Sequence, residues 1–296
     1  MRNEIYDCII VGAGPSGISA SIQLHRSGHK ILLIEKNKIG GLARNANLIE
    51  NYIGFPKAIP GKDLVKLFKQ QLKKHKIKTL KQEVLEINEK GELFKITTNQ
   101  LSERKVRSKA SVTNLYSKTL IIATGTTPKK AKIPCEGNLK NKIFYEIADL
   151  PKIKGKKEFI IIGSGDAAFD YALNLAKKHK ITILARKPRC LDLLKQRVEK
   201  HKNIKLRQGC VVKKIKERNG KIEVITKDKT LITDYIMITT GRKPLVPRTK
   251  IHKKKHELFF VGDVGYGKFR QIHIATGDGL LQAMRVSKIL NKNKQK

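Results

Sequence analysis

The sequence predicts an α/β protein in which one architecture, a parallel sheet joined to a β-meander, occurs twice, the second copy inserted into the first. Three observations carry that expectation. A short glycine motif stands between a buried strand and a helix at two places, GAGPSG at Gly12–Gly17 and GSGDAA at Gly163–Ala168. Each is followed by another buried strand, by alternating segments, and by an apolar run that ends in Thr-Gly, at Thr124-Gly125 and Thr240-Gly241. The chain's 296 residues also suit two domains rather than one.

The elements follow in order. Ile5–Val11 (IYDCIIV) and Ile31–Glu35 (ILLIE) are the near-continuous apolar runs of strands buried on both faces, and Ile18–Arg26 between them has helical spacing. The Gly/Asn-rich stretch IGGLARNANLIENYIGFP (39–56) reads as an ordered binding loop. Gly61–Lys76 is helical in period, Thr79–Ser117 alternates as a meander does, and Thr119–Ala123 (TLIIA) returns as a buried strand. The second copy runs Glu158–Ile162 (EFIII), a helix over Phe169–Lys178, Ile181–Ala185 (ITILA), another meander with Asn219-Gly220 as a hairpin turn, and Tyr235–Thr239 (YIMIT). A strand at Leu258–Val261 and a helix from about Gln271 to Leu290 close the chain. The expected boundaries are 1–126 with 243–296 for the first, discontinuous domain and 127–242 for the inserted one.

Composition excludes several classes. Apolar residues make up 40% of the chain, enough for buried cores, yet no apolar run approaches the ~18 residues of a membrane helix. The first strand runs straight into the glycine motif, which is not the pattern of a signal peptide. The four cysteines, Cys8, Cys135, Cys190 and Cys210, are far apart in sequence. That spacing suits neither a disulfide framework nor a zinc site, so no metal and a reducing, cytoplasmic setting are expected. Lys+Arg of 64 against Asp+Glu of 25 gives a net charge of +39. Lysines recur along the chain, around Lys73–Lys78, Lys129–Lys132, Lys152–Lys157, Lys213–Lys216 and Lys253–Lys255. Such a surface attracts acidic partners, and a general compositional bias reads equally from the same pattern.

The glycine motifs carry the chemistry. Gly12, Gly14 and Gly17, with Pro15 and Ser16 between them, make a tight turn that lets backbone approach a pyrophosphate at a helix N-terminus. Glu35, closing the next strand beside Lys36, is placed to accept ribose hydroxyls. In the second motif, Gly163, Gly165, Asp166, Ala167 and Ala168 repeat the turn with the accepted alanine ending. Its following strand ends in Ala185 instead of an acid, and Arg186, Lys187 and Arg189 come next. A missing carboxylate beside cations is what a ribose 2′-phosphate needs, so NADP(H) is expected over NAD(H).

These residues resemble the low-molecular-weight thioredoxin reductase family of flavoproteins, over nearly the whole chain. The resemblance rests on GAGPSG, on IGG (Ile39–Gly41) with ENYIGFP (Glu50–Pro56), on ATG (Ala123–Gly125), GSGDAA, TTGRKP (Thr239–Pro244) and VGDV (Val261–Val264), and on Arg270-Gln271 opening the last helix. It implies two Rossmann-like FAD/NAD(P)-binding domains, the NADP domain inserted into the FAD domain and rotating on hinges near Thr126 and Arg242, in a homodimer. Beyond the fingerprints it implies FAD contacts at Gly41, Leu42, Asn51, Val84, Ala123, Thr124, Gly125, Gly262, Asp263, Arg270, Gln271 and Ile272, and an NADP contact at Gly241. Asp263 would bind the ribityl chain, and Arg270-Gln271 with the helix behind them would face the isoalloxazine. His273, one turn further, is a candidate for protonation chemistry.

The departures from that family matter as much. Members that reduce thioredoxin carry Cys-x-x-Cys shortly before the second fingerprint. Here the region reads Phe144-Tyr-Glu-Ile-Ala-Asp149, with Glu146 and Asp149 at about the positions of the two thiols. Carboxylates cannot perform thiol–disulfide exchange. The pair reads as helix-dipole charges on an exposed helix start, or as proton donors near the flavin. Cys135 stands where relatives have glycine and has no resolving partner nearby, and Leu42 replaces the usual glutamine of the flavin loop. The leading expectation is an NADPH-dependent FAD oxidoreductase that serves an acceptor without an internal dithiol, as ferredoxin–NADP reductases of the thioredoxin-reductase type do. An acidic ferredoxin or flavodoxin would suit the charge. A disulfide reductase using distant or substrate thiols, and a flavin-bearing sensor associated with nucleic acid, remain open alternatives.

Overall fold

The computed structural model describes residues 4–100, 112–251, 257–267 and 269–293. The part of the first meander expected across 101–111 and the lysines at Lys253–Lys255 lie outside the described residues. The chain forms two compact units. The first holds the chain up to Arg44, Glu50–Thr127, and the chain from Lys243 on; the second holds Asn45–Ile49 and Pro128–Arg242.

The first unit is built on Ile5–Val11, which pairs in parallel with Ile31–Ile34 on one side and with Val112–Ile122 on the other. Thr79–Leu80 adds beyond Ile31–Ile34, and Leu258–Phe260 adds beside Val112–Ile122, both parallel. The strand Val112–Ile122 is shared between two arrangements. Its first half pairs antiparallel with Leu93–Gln100, which pairs in turn with Gln82–Lys90 to make the meander. The core between sheet and meander gathers Tyr6, Ile9, Leu32, Ile87, Phe94, Ile96 and Leu120.

Two helices precede the meander: α1 (Pro15–Arg26) and α2 (Gly61–Lys74). α1 begins earlier than its apolar spacing suggests because Gly14 is its N-cap and Pro15 occupies its first turn, where a missing N–H costs nothing. The C-terminal helix, Ile272–Lys292, packs on α1 through small residues. A Cβ on Gly279 would overlap the Ser16 carbonyl, so the two helices meet backbone against backbone.

The second unit repeats the plan. Five strands run parallel in the order Ile204–Gln208, Lys180–Ala185, Glu158–Ile162, Tyr235–Ile238, Ile143–Phe144. The period of two along Glu158–Ile162 sorts its side chains cleanly. Phe159 and Ile161 face Phe169, Ile183 and Met237, while Ile160 and Ile162 face the meander residues Ile215, Ile222 and Val224. The hairpin turn lies at Asn219-Gly220, both at positive φ, between Val212–Arg218 and Lys221–Thr226.

Two expectations need correction here. The helix after GSGDAA, α3 (Asp166–Leu175), starts at the fingerprint and stops at Leu175 rather than Lys178. The stretch after Ala185 does not enter a meander at once. It forms a short helix, α4 (Asp192–Glu199), and a fifth parallel strand, Ile204–Gln208. α4 buries only Val198 fully, and Lys205 and Arg207 give the edge strand a polar alternation, so neither has the apolar period of its buried counterparts.

Two glycines on the C-terminal helix test the helix contact. Gly279→Ala should destabilise the protein by about 1–3 kcal/mol through overpacking against Ser16, read as a lower urea midpoint. Gly277→Ala, where a Cβ meets nothing among the described residues, should leave the midpoint unchanged or raise it by up to ~1 kcal/mol.

Candidate functional site

The three glycines of the first fingerprint do three different things. Gly12 has φ +107°, and a Cβ there would strike the Ala123 carbonyl, so the turn can lie against the end of Val112–Ile122 only without a side chain. A Cβ on Gly17 would overlap the Gly12 carbonyl, which sets the close approach of α1 to the turn. Gly14 is the opposite case. Nothing among the described residues lies within 4 Å of where its Cβ would stand, and no side chain caps the α1 amides behind it. An uncapped helix start with open space before it is the cradle a pyrophosphate fills.

Around that turn the first unit brings several of the expected FAD residues together. Glu35 accepts the Ala13 N–H at 2.8 Å and the Asn37 N–H at 2.7 Å, so its carboxylate is oriented with one lone pair per oxygen still open. Gly41 opens a 3-10 turn, Gly41–Asn45, and lies against Gly14; Leu42 beside it is half-buried. Ala123 donates its N–H to Val11, Thr124 donates its hydroxyl to the Leu245 carbonyl, and Gly125 accepts the Leu245 N–H at 3.0 Å. Gly262 sits over Ser16, with Asp263 next to it in the turn Gly262–Val264. Asn51 donates to the side-chain oxygen of Gln271, the N-cap of the C-terminal helix, at 3.2 Å. Half-buried Arg270 and Ile272 flank that cap, and exposed His273 follows, its ring 4.8 Å from that of Tyr52. At the start of the meander, Lys36 pairs with Glu83 at 3.5 Å and the adjacent Val84 packs on the core.

One contributor to this site was not singled out from the sequence. Asp278, buried in the C-terminal helix, accepts the Gly262 N–H at 2.7 Å, the Tyr266 hydroxyl at 3.2 Å and the Gln282 amide at 3.1 Å. It holds the VGD turn in place. A carboxylate on the core side of an otherwise apolar helix face was the available signal.

In the second unit, Gly163 abuts Thr239 with no room for a Cβ, and Gly165 faces open space at the uncapped start of α3. Asp166 and Ala167 are exposed and Ala168 is buried. Arg186, Lys187 and Arg189 are all exposed on the loop after Ala185. Gly241, at φ +116°, accepts the Lys129 N–H at 2.9 Å.

The Glu146–Asp149 region departs from expectation. Asp149 is exposed, but Glu146 is buried and heads a polar cluster within the second unit. One carboxylate oxygen pairs with the Arg242 guanidinium; the other accepts the Tyr171 hydroxyl at 2.8 Å and the Asn45 amide at 2.6 Å. Asn45 also accepts the Ala148 N–H at 2.9 Å. Burial, with the neighbouring carboxylate, pushes the Tyr171 phenol far above its ordinary pKa, so it remains a donor. Glu146 is therefore no exposed helix-dipole charge. The same segment is tied again at Asn47, whose N–H reaches Asp170 at 2.9 Å and whose side chain accepts from Lys177 at 2.6 Å. Burial pushes Asp170 up to about 6, against the pull of backbone N–H donors at Asn47 and Leu48.

All four cysteines are free. Cys8 is fully buried in the first strand, and burial pushes its thiol up to about 12, which removes it from thiolate chemistry. Cys135 is exposed; burial of its sulfur's surroundings raises its pKa too, and the same holds for Cys190.

Comparison with known proteins places this geometry. Residues 6–279 match the family model described as pyridine nucleotide-disulphide oxidoreductase, and the chain belongs to that family. Within it the chain is thioredoxin reductase-like. It is 29% identical to a thioredoxin reductase of Bacillus subtilis, over 96% of this chain and 95% of that protein. It is 26% identical to a 34.2 kDa protein in the rubredoxin operon of Clostridium pasteurianum, over 96% and 97%. Its structure matches that of Lactococcus lactis thioredoxin reductase with a TM-score of 0.83 at 27% identity, covering 97% of this chain and 99% of that one. It is an FAD-dependent NAD(P)H oxidoreductase, and the open turns at Gly14 and Gly165 fit the two dinucleotides. No helix of the described residues is long and apolar enough to cross a membrane.

Gly14→Glu, which projects a carboxylate into the open cradle, should yield a folded protein that has lost its yellow FAD; retention of stoichiometric flavin would refute this placement of the pyrophosphate. Asp170 gives a pH test. Its folded pKa lies above the unfolded one, so its contribution to stability is complete below about pH 4 and is lost as pH rises through about 6. Relative to Asp170→Asn, the wild-type second unit should lose on the order of 2–3 kcal/mol between about pH 4 and 7, measured by urea unfolding at each pH.

Proposed function

We propose that this protein passes electrons from NADPH through FAD to a separate redox protein, using no dithiol of its own. The observation that carries the reading is the identity of the residues in the dithiol region: a buried, ion-paired Glu146 and an exposed Asp149. The chain's four thiols are free, and one of them is sealed in the core. FAD, when bound, supplies the exchange between hydride transfer and one-electron release. The chain's part is to hold the reactants. Gly14 and the α1 amides take the pyrophosphate, Glu35 the ribose, and Asp263 the ribityl chain. Gln271, held by Asn51, sets the start of the helix facing the ring, and His273 exchanges protons beside Tyr52.

A small acidic acceptor, an iron–sulfur protein or flavodoxin, fits the net charge of +39. The name of the clostridial relative, a protein of a rubredoxin operon, supports an acceptor of that kind. The B. subtilis and L. lactis relatives are named thioredoxin reductases, so reduction of thioredoxin is the reading to be tested against this one. A homodimer is part of the proposal by the same likeness.

NADPH-dependent reduction of ferricyanide should survive replacement of all four cysteines by serine, with little or no thioredoxin reduction before or after. The rate with an acidic ferredoxin should fall steeply with salt, since the steering field is screened within about 8–10 Å at physiological ionic strength. Robust thioredoxin reduction abolished by a single Cys→Ser change would overturn the proposal.

A further inference from the structure

The cations after Ala185 stand on a loop that is stitched back onto the second fingerprint. The Arg189 N–H donates to the Ser164 carbonyl at 2.6 Å, and the Leu191 N–H donates to Oδ1 of Asp166 at 2.9 Å. At the loop's other end the Arg186 carbonyl accepts the Gly209 N–H at 3.0 Å, and the Ala185 carbonyl accepts that of Cys210 at 3.3 Å. Beyond Leu191 the chain enters α4, with Leu191 as its N-cap. The backbone of Arg186–Leu191 is thus held from both sides while Arg186, Lys187 and Arg189 keep their side chains in solvent. Three of these four bonds use backbone acceptors that any sequence would supply. The fourth depends on one side chain.

Asp166 is an unusual group for that place if it served only the dinucleotide. It puts a negative charge in the first turn of α3, beside the open turn at Gly165 where a pyrophosphate must approach. Repulsion there works against binding; the helix dipole favours an acid in this turn, but it does not direct the carboxylate to the Leu191 N–H, which Oδ1 accepts at 2.9 Å. We infer that Asp166 is a positioning residue for nucleotide choice: by accepting the Leu191 N–H it pre-orders the Arg186–Leu191 loop so that its cations meet a ribose 2′-phosphate. The role rests on the reading that this loop takes the 2′-phosphate. Ordering before binding matters because fixing a loop's backbone is a cost that otherwise falls on the ligand.

The test uses two nucleotides that differ only in the 2′-phosphate, 2′,5′-ADP and 5′-AMP, titrated calorimetrically into the full-length flavin-loaded protein. Wild type should prefer 2′,5′-ADP by at least about tenfold. Asp166→Ala should lower that preference by about tenfold and leave 5′-AMP binding equal or tighter, because the repulsive charge is gone. Asp166→Asn keeps an oxygen acceptor without the charge and should retain the wild-type preference to within about twofold. Amide hydrogen exchange across residues 186–191 should quicken in Asp166→Ala and not in Asp166→Asn, a readout independent of any ligand. A wild-type protein that does not prefer 2′,5′-ADP would overturn the 2′-phosphate reading and this role with it. A wild-type preference that persists in Asp166→Ala would overturn the positioning role alone.

Discussion

Backbone packed directly on backbone around Ser16 and Gly17 is the constraint on which the first unit depends. The Gly12 carbonyl fills the place of a Gly17 side chain, the Ser16 carbonyl that of a Gly279 side chain, and the Ser16 side chain that of a Gly262 one. The Ala123 carbonyl closes the other side, against Gly12. Segments from the beginning, middle and end of the chain therefore meet at one turn with almost no side chain between them. Buried Asp278 then fixes the Gly262 turn by hydrogen bonds rather than by packing. This is how a domain split in sequence by an inserted unit is completed, and why the open space at Gly14 survives at its centre: the glycines around it are used for contact, and this one is not.

The fold was legible where strands are buried on both faces and glycines serve contact. Ile5–Val11, Ile31–Ile34, Glu158–Ile162 and Tyr235–Ile238 read as strands because parallel sheets covered on both sides select unbroken apolar runs. The Asn219-Gly220 turn read correctly because few residue pairs tolerate two positive φ angles. α4 and Ile204–Gln208 were hidden because an edge strand and a short surface helix bury little, so their polar composition imitates a meander. Around the candidate site, the glycine turns and the acid that closes the next strand, Glu35, were legible by spacing as local structure. Glu146 was misread because its partners lie far off in sequence: Asn45, Tyr171 and Arg242 come from three separate stretches, and no local pattern distinguishes a paired buried carboxylate from a solvated one.

The second unit turns the same architecture to a different electrostatic purpose. Where the first strand pair ends in an acid oriented by two backbone amides, the matching pair ends in alanine and hands over to exposed cations. The difference between the two dinucleotide ends thus lies in the residues just past the second strand, while the glycine turn, the uncapped helix and the meander remain common to both units. The large positive charge is spread along surface lysines, some of which share the few acids available, as Lys30 and Lys78 share Glu4 and Lys214 and Lys216 share Glu136. Exposed pairs of this kind add little to stability.

The buried carboxylate of Glu146 has a consequence for substitution. Thiol chemistry could not be installed at this position by exchanging one residue without disturbing the cluster. Installing a cysteine at Glu146 would remove a group that a guanidinium, a phenol and an amide share. Arg242 is only half-buried, so breaking this pair costs less than the ~3–5 kcal/mol of a fully buried one, while the Tyr171 and Asn45 donors would lose a buried acceptor. Arg242, Tyr171 and Asn45 would have to change before or alongside it, and Asp149 as well to give the thiol a partner. The cluster therefore binds one position to three others: a substitution at Glu146 is felt at Asn45, Tyr171 and Arg242 at once, so the four are best exchanged together.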